Sequence, residues 1–323
     1  MTLHVLLCSH NGVRFIAQQI ASIRAQSRAV DVIHIFDHAS DDGTRRVLVQ
    51  LAQDAGGAPL ELHWVDDAPG PAMSFFNAMA QLAIRVDAGD CIFLADQDDV
   101  WLPGKVAAML EAAALRPRPW ALFHDVQVVD ESLAPLQPTF YSGNPYAVPR
   151  DLDVRRLLVT NPVVGHTLAL SGDMLACVAR LPEPSAYVMH DWAVALVAQR
   201  MQRLVFVPQC LSLYRQHGAN LLGTSRQRSL GEQLRRGLLL AERVLVQAMA
   251  WARAQPGGVL PAASAAAGMP AWLAQPWAGC SRARVAWRLA WHALVSGPTL
   301  RRKAMGLFLV LQALRPAPGS RRP

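Results

Sequence analysis

The stretch Phe93–Pro103, with the sequence FLADQDDVWLP, is the part of this chain that most restricts its fold and chemistry. An apolar run, Cys91–Ala95, passes there directly into three carboxylates within four residues. Like charges repel and each carboxylate resists losing water, so a buried strand that ends in this way is unfavourable unless a cation is shared. Oxygen ligands of this kind suit Mg²⁺ or Mn²⁺, which usually arrive with a substrate diphosphate. The alternative is a solvated acidic turn before a helix N-terminus, where Asp is also common.

Around this stretch, strand-like and helix-like segments alternate through the first part of the chain. The apolar patterns predict strands at 3–8, 30–36, 60–65 and 91–95, and helices at 15–25, 44–54, 72–86 and 102–115. That order predicts a parallel sheet with helices on both faces. Ligands of such sheets bind beyond the carboxyl ends of the strands.

Polar residues gather at those predicted strand ends. Ser9–Gly12 follows the first strand, Asp37–Thr44 follows the second, and the Asp96 cluster follows the fourth. Three polar strand ends on one edge of a sheet make a binding site there more plausible than any one of them alone.

Beyond residue 117 the pattern becomes mixed α+β. A strand is predicted at 120–129, a turn at 130–135, a short helix near 152–159, a strand at 167–170, helices at 173–181 and 192–200, and strands at 204–207 and 211–214. We therefore expect residues 1–225 to form one domain, with a ligand-binding half at 1–117 and a second half, for an acceptor, at 118–225.

The charge is divided unevenly along the chain. Residues 226–323 hold 15 Lys and Arg against 2 Asp and Glu, a net +13, while residues 1–225 carry −6, which together give the overall +7. The basic region has helical periodicity at 234–254 and 282–294, separated by a linker at 255–276. Basic helices that carry Trp favour an anionic membrane surface, and the alternative is ordinary helices packed on the domain. No nucleic-acid recognition motif accompanies the charge.

The cysteines and the hydropathy favour a cytoplasmic protein, with peripheral association at the inner face of the membrane. The five cysteines are scattered and lack C-x-x-C spacing, so neither a disulfide framework nor a zinc site built on them is predicted. The N-terminal apolar run has no basic leader, and no run reaches the roughly 18 apolar residues that span a bilayer.

Taken in order, these motifs resemble the family 2 glycosyltransferases, which share the GT-A nucleotide-sugar-binding fold. The resemblance covers residues 3–223, and its motifs are Cys8–Gly12, Asp37–Thr44, Asp96–Pro103, His124-Asp125 with Val129-Asp130, His190–Trp192, and Leu213–Asn220. The D-Q-D-D-V-W-L-P and Y-R-Q-H-G-x-N forms are similar to a bacterial branch that includes rhamnosyltransferases of cell-surface polysaccharide synthesis.

The resemblance implies a divalent metal, Mg²⁺ or Mn²⁺, and a nucleotide-diphospho-sugar donor. It implies that Asp98 binds the metal, that Asp96 lies near the metal or the ribose, and that His217 is a further metal ligand or a phosphate donor. It also implies a set of nucleotide-sugar-binding residues: Ser9, His10, Asn11, Asp37, His38, Asp96 and Gln97.

Asp191 is the general base that the resemblance implies. It immediately precedes the predicted helix 192–200, and a helix N-terminus favours the ionised carboxylate that a base requires. Position alone also allows Asp191 to be a helix cap. Trp192 is a candidate for the acceptor pocket, with a core position as the alternative.

The second motif departs from the pattern of the family. It reads Asp37-His38-Ala39-Ser40 where the family usually has D-D-G-S. A neutral imidazole at His38 can still accept a hydrogen bond from a base, and Ala39 in place of a turn Gly predicts a different loop path.

The expected function is an inverting, metal-dependent glycosyl transfer, with rhamnose as the first choice of sugar and a lipid-linked glycan as acceptor. Two alternatives remain at this point. A nucleotidyltransferase has a similar sheet but normally carries a Gly-rich basic phosphate loop near its N-terminus, which Ser9–Gly12 is not. A non-catalytic sugar-binding protein is suggested only by the changes at His38 and Ala39.

Overall fold

The computed structural model describes residues 1–54, 56–137, 139–141, 152, 154–218, 229–254, 281–295 and 300–314. Their strands are β1 (Leu3–Ser9), β2 (Val32–His38), β3 (Leu60–Val65), β4 (Cys91–Asp96), β5 (Val100–Trp101), β6 (Ala121–Val129), β7 (Pro135–Gln137), β8 (Ala169–Ser171) and β9 (Leu204–Arg215).

Helices connect and cover these strands. They are α1 (Ile16–Arg24), α2 (Thr44–Gln53), α3 (Pro71–Ala83), α4 (Lys105–Ala114), α5 (Val154–Leu157), α6 (Gly172–Ala179), α7 (His190–Arg200), α8 (Leu230–Arg253), α9 (Arg282–Val295) and α10 (Leu300–Ala313). Short 3₁₀ turns lie at Gly165–Thr167 and Pro184–Ala186.

The strands form one nine-stranded sheet with the order β3-β2-β1-β4-β8-β6-β9-β5, and β7 pairs with β6. β1, β2, β3 and β4 run parallel, as the alternation of strands and helices predicts. β8 is antiparallel to both of its neighbours, β4 and β6, and β6 and β9 are again parallel. The sheet is therefore mostly parallel and continuous from the first half of the chain into the second.

Apolar side chains are buried on both faces of the sheet, because successive residues of a strand point to opposite sides. On β1, Leu6 joins one apolar cluster with α3, α6 and α7, while Val5 and Leu7 join a second with α1 and α4. All of β1 from Leu3 to Leu7 is buried, as is typical of a central strand covered on both sides.

The structure differs from the sequence-based elements in the second half. The strands predicted at 204–207 and 211–214 are one strand, β9, and its pairing with β6 shifts register between His124 and Val126. Pro208 lies within this irregular part of β9, and because Pro lacks an N–H it is tolerated in strands at such irregularities. β5 and β7, two and three residues long, are too short for periodicity to reveal.

The C-terminal helices pack on the domain. Arg243 on α8 donates to the Val188 carbonyl at 2.9 Å, and Gln247 accepts from the Val188 N–H at 2.9 Å. Apolar residues of α8, α9 and α10 join the cluster that contains Leu6. Among the described residues, no helix is long and apolar enough to cross a membrane. The predicted linker at 255–276 and Cys280 lie outside the described residues, and the four cysteines within them are free.

Candidate active site

The carboxyl ends of β1, β2 and β4 meet at one edge of the sheet. Strand pairing places Ser9 opposite Asp37 and Cys8 opposite Asp96. The loops that follow these strands therefore come together, as expected from their polar sequences.

Asp37 is the centre of the loop contacts after β2. It is buried and accepts hydrogen bonds from Ser9 Oγ at 2.9 Å, Ser40 Oγ at 2.6 Å and Arg45 Nε at 2.6 Å. Burial alone would raise the pKa of Asp37, but the hydrogen bonds from Arg45, Ser40 and Ser9 outweigh it and lower the pKa below its usual value. The carboxylate is thus ionised and holds both loops in one arrangement.

The loop after β1 is fixed by the side chain of Gln97. Gln97 accepts from the His10 N–H at 2.9 Å and donates to the His10 carbonyl at 3.0 Å. A Cβ at Gly12 would lie 2.2 Å from Gln97 Oε1, so a side chain at this position would displace the Gln97 amide. His10 is exposed, and its Nδ1 donates to the His38 carbonyl at 2.6 Å, which orients the ring at the surface.

Two further contacts join the loops after β1 and β2. Asn11 donates its N–H to Ser40 Oγ at 2.8 Å and accepts from the Asp41 N–H at 3.0 Å. These bonds hold the loop after β1 against the loop after β2.

His38 and Ala39 show how the unusual second motif is accommodated. The His38 ring is buried, its Nδ1 lies 3.3 Å from the Asp67 carbonyl, and its Nε2 has no hydrogen-bond partner among the described residues. Burial lowers the pKa of His38, so the ring is neutral, but its burial removes it from the surface where an incoming base would bind. Ala39 has a φ of 52°, the left-handed conformation that glycine favours. Ala39 therefore adopts a conformation that glycine favours, at some cost in strain, and the different loop path expected from the missing glycine stays a prediction.

The acidic turn after β4 has one side that is partly exposed to solvent, which we call the open side, and one that is buried, the closed side. On the open side, Asp98 Oδ2 lies 2.8 Å from His217 Nε2. Burial, followed by the repulsion of Asp99 and Asp96, raises the pKa of Asp98 to about 8. A carboxylate held in this way gains from a nearby cation, as the sequence of the turn predicts.

On the closed side, Asp99 forms a buried ion pair that the sequence did not reveal. Asp99 Oδ2 lies 2.6 Å from His166 Nδ1, and Asp99 Oδ1 accepts from the Arg215 N–H at 3.0 Å. Burial would lower the pKa of His166, but Asp99 and Asp96 raise it to about 9, so the imidazole is charged. His166 Nε2 in turn lies 3.0 Å from Ser212 Oγ on β9.

Two groups of residues near the turn offer metal ligands. Asp96, Asp99 and His166 have ligand atoms within 4.8 Å of one another. However, Asp99 and His166 are only 1% and 0% exposed and already neutralise each other, whereas the side chains of Asp98 and Asp96 are 22% and 36% exposed. Asp98 and Asp96 are therefore the carboxylates of this turn that remain accessible to a cation from solvent.

Asp191 lies in the first turn of α7, but it is not the helix cap. The N-cap residue is Met189, and it makes no side-chain capping bond. Asp191 Oδ1 instead accepts from Asn161 Nδ2 at 2.9 Å. Burial raises the pKa of Asp191 to about 7, although hydrogen bonds from the Trp192 N–H, Asn161 and the Gly165 N–H oppose the rise. We expected the helix N-terminus to keep Asp191 ionised, but burial has the larger effect on its pKa.

The turn Gly165–Thr167 lies between Asp191 and the acidic cluster. A Cβ at Gly165 would be 3.6 Å from Asp191 Oδ2 and 2.8 Å from His190 Nε2, while the next residue, His166, contacts Asp99. Asp96 is close enough to contribute to the raised pKa of Asp191. Asp96 and Asp191 therefore lie near one another, beside the turn Gly165–Thr167.

The structure places Trp192 in the core and not in an open acceptor pocket. It is 6% exposed, and its ring N–H donates to the Leu157 carbonyl. Its indole ring packs in the apolar cluster that contains Leu6. Ala219 and Asn220, the end of the motif that begins at Leu213, lie outside the described residues.

Comparison with known proteins gives a limited match in sequence. No model of a known protein family matches the chain. An uncharacterized glycosyltransferase of Nostoc sp. is 29% identical over 111 residues, which are 34% of this chain and 32% of that protein. The match spans about a third of each chain and does not extend to the whole relative.

Solved structures match along almost the full length. The S. aureus TarS fragment 1–349 in complex with UDP-GlcNAc has a TM-score of 0.52 and 12% identity, covering 97% of this chain and 90% of that one. The mannosyltransferase PcManGT from Pyrobaculum calidifontis, in complex with GDP-Man and Mn²⁺, has a TM-score of 0.51 and 17% identity, covering 96% and 85%. The chain thus has the GT-A glycosyltransferase fold that its motifs predicted.

Proposed function

We propose that this chain is an inverting, metal-dependent glycosyltransferase of family 2 that uses a nucleotide-diphospho-sugar donor. The observation that carries the proposal is the approach of Asp191 to the Asp96–Asp99 cluster across the turn Gly165–Thr167. A transfer of this kind needs a cation that neutralises the leaving diphosphate and a base that takes the proton of the acceptor hydroxyl. The cation and the base must lie on opposite sides of the transferred sugar. The GT-A fold and the nucleotide sugars named with PcManGT and TarS support the same class.

The metal-binding residues in this proposal are Asp98, Asp96 and His217. Asp98 Oδ2 and His217 Nε2 lie 2.8 Å apart, carboxylate oxygens suit Mg²⁺ or Mn²⁺, and PcManGT was solved with Mn²⁺. When bound, such an ion neutralises the charge that develops on the departing diphosphate. Arg215 supports this turn by donating to the Asp98 carbonyl at 2.8 Å.

The donor nucleotide lies in this proposal against the loops after β1 and β2. Ser9, Asn11, Asp37 and Gln97 hold those loops, and the exposed ring of His10 offers a surface on which a base can stack. His38 shapes the loop from inside.

Asp191 is the proposed general base. The acceptor hydroxyl oxygen forms a bond to the anomeric carbon, the bond from that carbon to the diphosphate oxygen breaks, and the hydroxyl proton passes to the Asp191 carboxylate. Attack opposite to the leaving group inverts the anomeric configuration. With its pKa raised to about 7 by burial, Asp191 is a stronger base than an exposed aspartate while still partly ionised at neutral pH.

Two substitutions test the assignment. Asp98→Ala should abolish transfer and the Mn²⁺-dependent rise in melting temperature on adding a nucleoside diphosphate, since ligands that bind the folded state stabilise it. Asp191→Asn should keep that rise and lose turnover. Transfer at the wild-type rate in either variant would contradict the role given to that residue.

The sugar and the acceptor are finer parts of the proposal. The D-Q-D-D-V-W-L-P and Y-R-Q-H-G motifs favour rhamnose as the sugar and a lipid-linked glycan of cell-surface polysaccharide or O-antigen synthesis as the acceptor. A thermal-shift screen of nucleotide-diphospho-sugars with and without Mn²⁺ tests the donor, with UDP-GlcNAc and GDP-mannose as comparisons. A larger shift with another sugar than with rhamnose would overturn the rhamnosyl choice and leave the reaction class intact.

We also propose that the C-terminal helices bind the anionic inner face of the cell membrane. Trp287, Trp291 and Leu294 recur at helical spacing on α9 and are 50%, 70% and 39% exposed. They lie within a region of net charge +13, which matches an anionic lipid surface. The four free cysteines support a reducing, cytoplasmic setting.

Vesicle sedimentation tests this surface. The protein should bind vesicles with about one third anionic lipid and not neutral ones. Replacing Trp287 and Trp291 by Ser should weaken that binding. The control Leu115→Ser, at a residue that is 78% exposed and lies after α4, should not weaken it. Equal binding by both variants would exclude α9 as the docking surface.

A further inference from the structure

A second group of metal-ligand side chains lies far from the candidate active site along the strands. His4 is near the start of β1, His34 near the start of β2, and Glu61 and His63 are on β3. Strand pairing places His34 directly opposite Glu61. The group is therefore on the amino-terminal half of the sheet, away from the edge where Asp37 and Asp96 end their strands.

Three of these residues present ligand atoms to one another. His34 Nδ1 lies 3.1 Å from Glu61 Oε2, and His63 Nε2 lies 4.0 Å from the same oxygen. All three ligand atoms fall within 4.8 Å of one another. His34 is 4% exposed and its Nδ1 contacts Glu61, while the buried Nε2 of His63 has no hydrogen-bond partner among the described residues. Buried ring nitrogens without partners are unfavourable unless something else binds them.

The contacts on the Nε2 side of His34 orient its ring. His34 Nε2 lies 3.0 Å from His4 Nδ1, and His4 Nε2 lies 3.5 Å from Asp90 Oδ2. These contacts orient the His34 ring so that Nδ1 lies on the side of Glu61, 3.1 Å from its carboxylate oxygen. In the tautomer that carries its proton on Nε2, His34 Nδ1 offers a lone pair to a metal ion held between it and that oxygen.

We propose that His34 Nδ1, His63 Nε2 and a Glu61 oxygen bind a zinc ion that ties β2 to β3. Two imidazoles and a carboxylate are ligands that zinc prefers, and water completes a tetrahedral set. A metal-binding His usually donates its other ring N–H to a neighbouring group, and His4 Nδ1, 3.0 Å from His34 Nε2, is placed to accept it.

The geometry can close around an ion with a small movement. Zinc ligands lie about 2.0–2.2 Å from the metal, so their mutual separations are near those found here. The Glu61 side chain is 51% exposed and free to adjust, whereas His34 is held by His4.

The location gives the ion a structural role. β3 is the edge strand of the sheet in the strand order. Exposed edge strands tend to fray or to pair with other chains, and a metal link to the neighbouring strand opposes both. This site is independent of the proposed transfer reaction, because its residues do not touch the acidic turn.

Zinc titration of the tag-free, metal-stripped full chain tests the proposal by calorimetry and thermal unfolding. We expect zinc binding and a higher melting temperature in the wild type and in two controls, Asp98→Asn and the exposed Glu111→Gln. Glu61→Gln and His63→Gln should bind zinc at least about tenfold more weakly. Their metal-free melting temperatures should match the wild type, which separates loss of a ligand from loss of the fold.

Three results would overturn the site. They are wild-type zinc affinity in His63→Gln, loss of all zinc binding in Asp98→Asn, or no zinc binding by the wild type. Cobalt adds an independent readout, since tetrahedral Co²⁺ absorbs visible light. That absorption should appear in the wild type and in Asp98→Asn and be absent in Glu61→Gln; a cobalt spectrum unchanged by Glu61→Gln would also overturn it.

Discussion

Replacing Asp191 by Asn should stabilise the folded protein at alkaline pH while abolishing transfer. Burial raises the pKa of Asp191 from 3.8 to about 7, so the folded state binds this proton more tightly than the unfolded state. The sign follows from that difference: stability from this group is present at acidic pH and is lost as the pH rises from about 4 to about 7. The ionised carboxylate then disfavours folding, and the neutral Asn side chain does not.

The magnitude depends on the pH values compared. With these two pKa values, ionisation of Asp191 costs about 2 kcal/mol of folding free energy at pH 5 and about 4 kcal/mol at pH 8.5. The stability difference between Asp191→Asn and the wild type should therefore shift in favour of the variant by roughly 2–3 kcal/mol between pH 5 and pH 8.5. Other titrating groups cancel in this comparison, because both proteins contain them.

Urea unfolding of both proteins at the two pH values measures the shift. Asp66→Asn is a matched control, since that aspartate is exposed and its substitution should have the same effect at both pH values. A variant whose stability relative to the wild type does not change with pH would refute the view that Asp191 is buried at a cost. A variant less stable than the wild type at pH 8.5 would show instead that the bond from Asn161 needs the charged carboxylate.

Three other substitutions probe the loops and the turn around the site. Ala39→Gly should raise the unfolding free energy by about 0.5–1 kcal/mol, because glycine relieves the left-handed φ of 52°, and a fall in stability by urea unfolding would contradict this. Gly12→Ala should weaken donor binding by displacing Gln97, whose Oε1 would lie 2.2 Å from the new Cβ. Calorimetry should show a much smaller loss of donor affinity when the same substitution is made in a Gln97→Ala background. Equal losses in both backgrounds would exclude the clash. Gly165→Ala should lower kcat by displacing His190 and Asp191, because a Cβ at position 165 would lie 2.8 Å from His190 Nε2. A wild-type kcat in this variant would show that the turn does not position the base.

Residue patterns predicted the first half of the fold well. The bounds of β3 were predicted at 60–65 and are Leu60–Val65, because apolar and polar residues alternate in the segment LELHWV. The order of strands and helices was sufficient to place the Asp37 and Asp96 loops at one edge. β9 was divided in two because Pro208 interrupts its apolar pattern, although an irregular register lets the strand continue past it.

The candidate site was predicted only where a motif carried a signal. Asp98 and Asp191 stand beside recognisable breaks between apolar and polar sequence. His166 had no such signal, since its role depends on Asp99, which is 67 positions earlier in the chain and reaches it only through the folded sheet. The burial that raises the pKa of Asp191 is likewise set by distant elements, so the local argument from the helix end gave the wrong direction.

The unbroken sheet has a consequence for how the proposed donor and acceptor would enter the site. β4 and β6 are joined through β8 by backbone hydrogen bonds, so no hinge separates the side that holds Asp96 from the side that carries β9. A two-lobed enzyme can swing shut on its substrates, but a chain built on one ladder has to admit and release them through its loops. Crystals grown with and without a nucleotide should therefore superpose strand for strand and differ only in the connections between them.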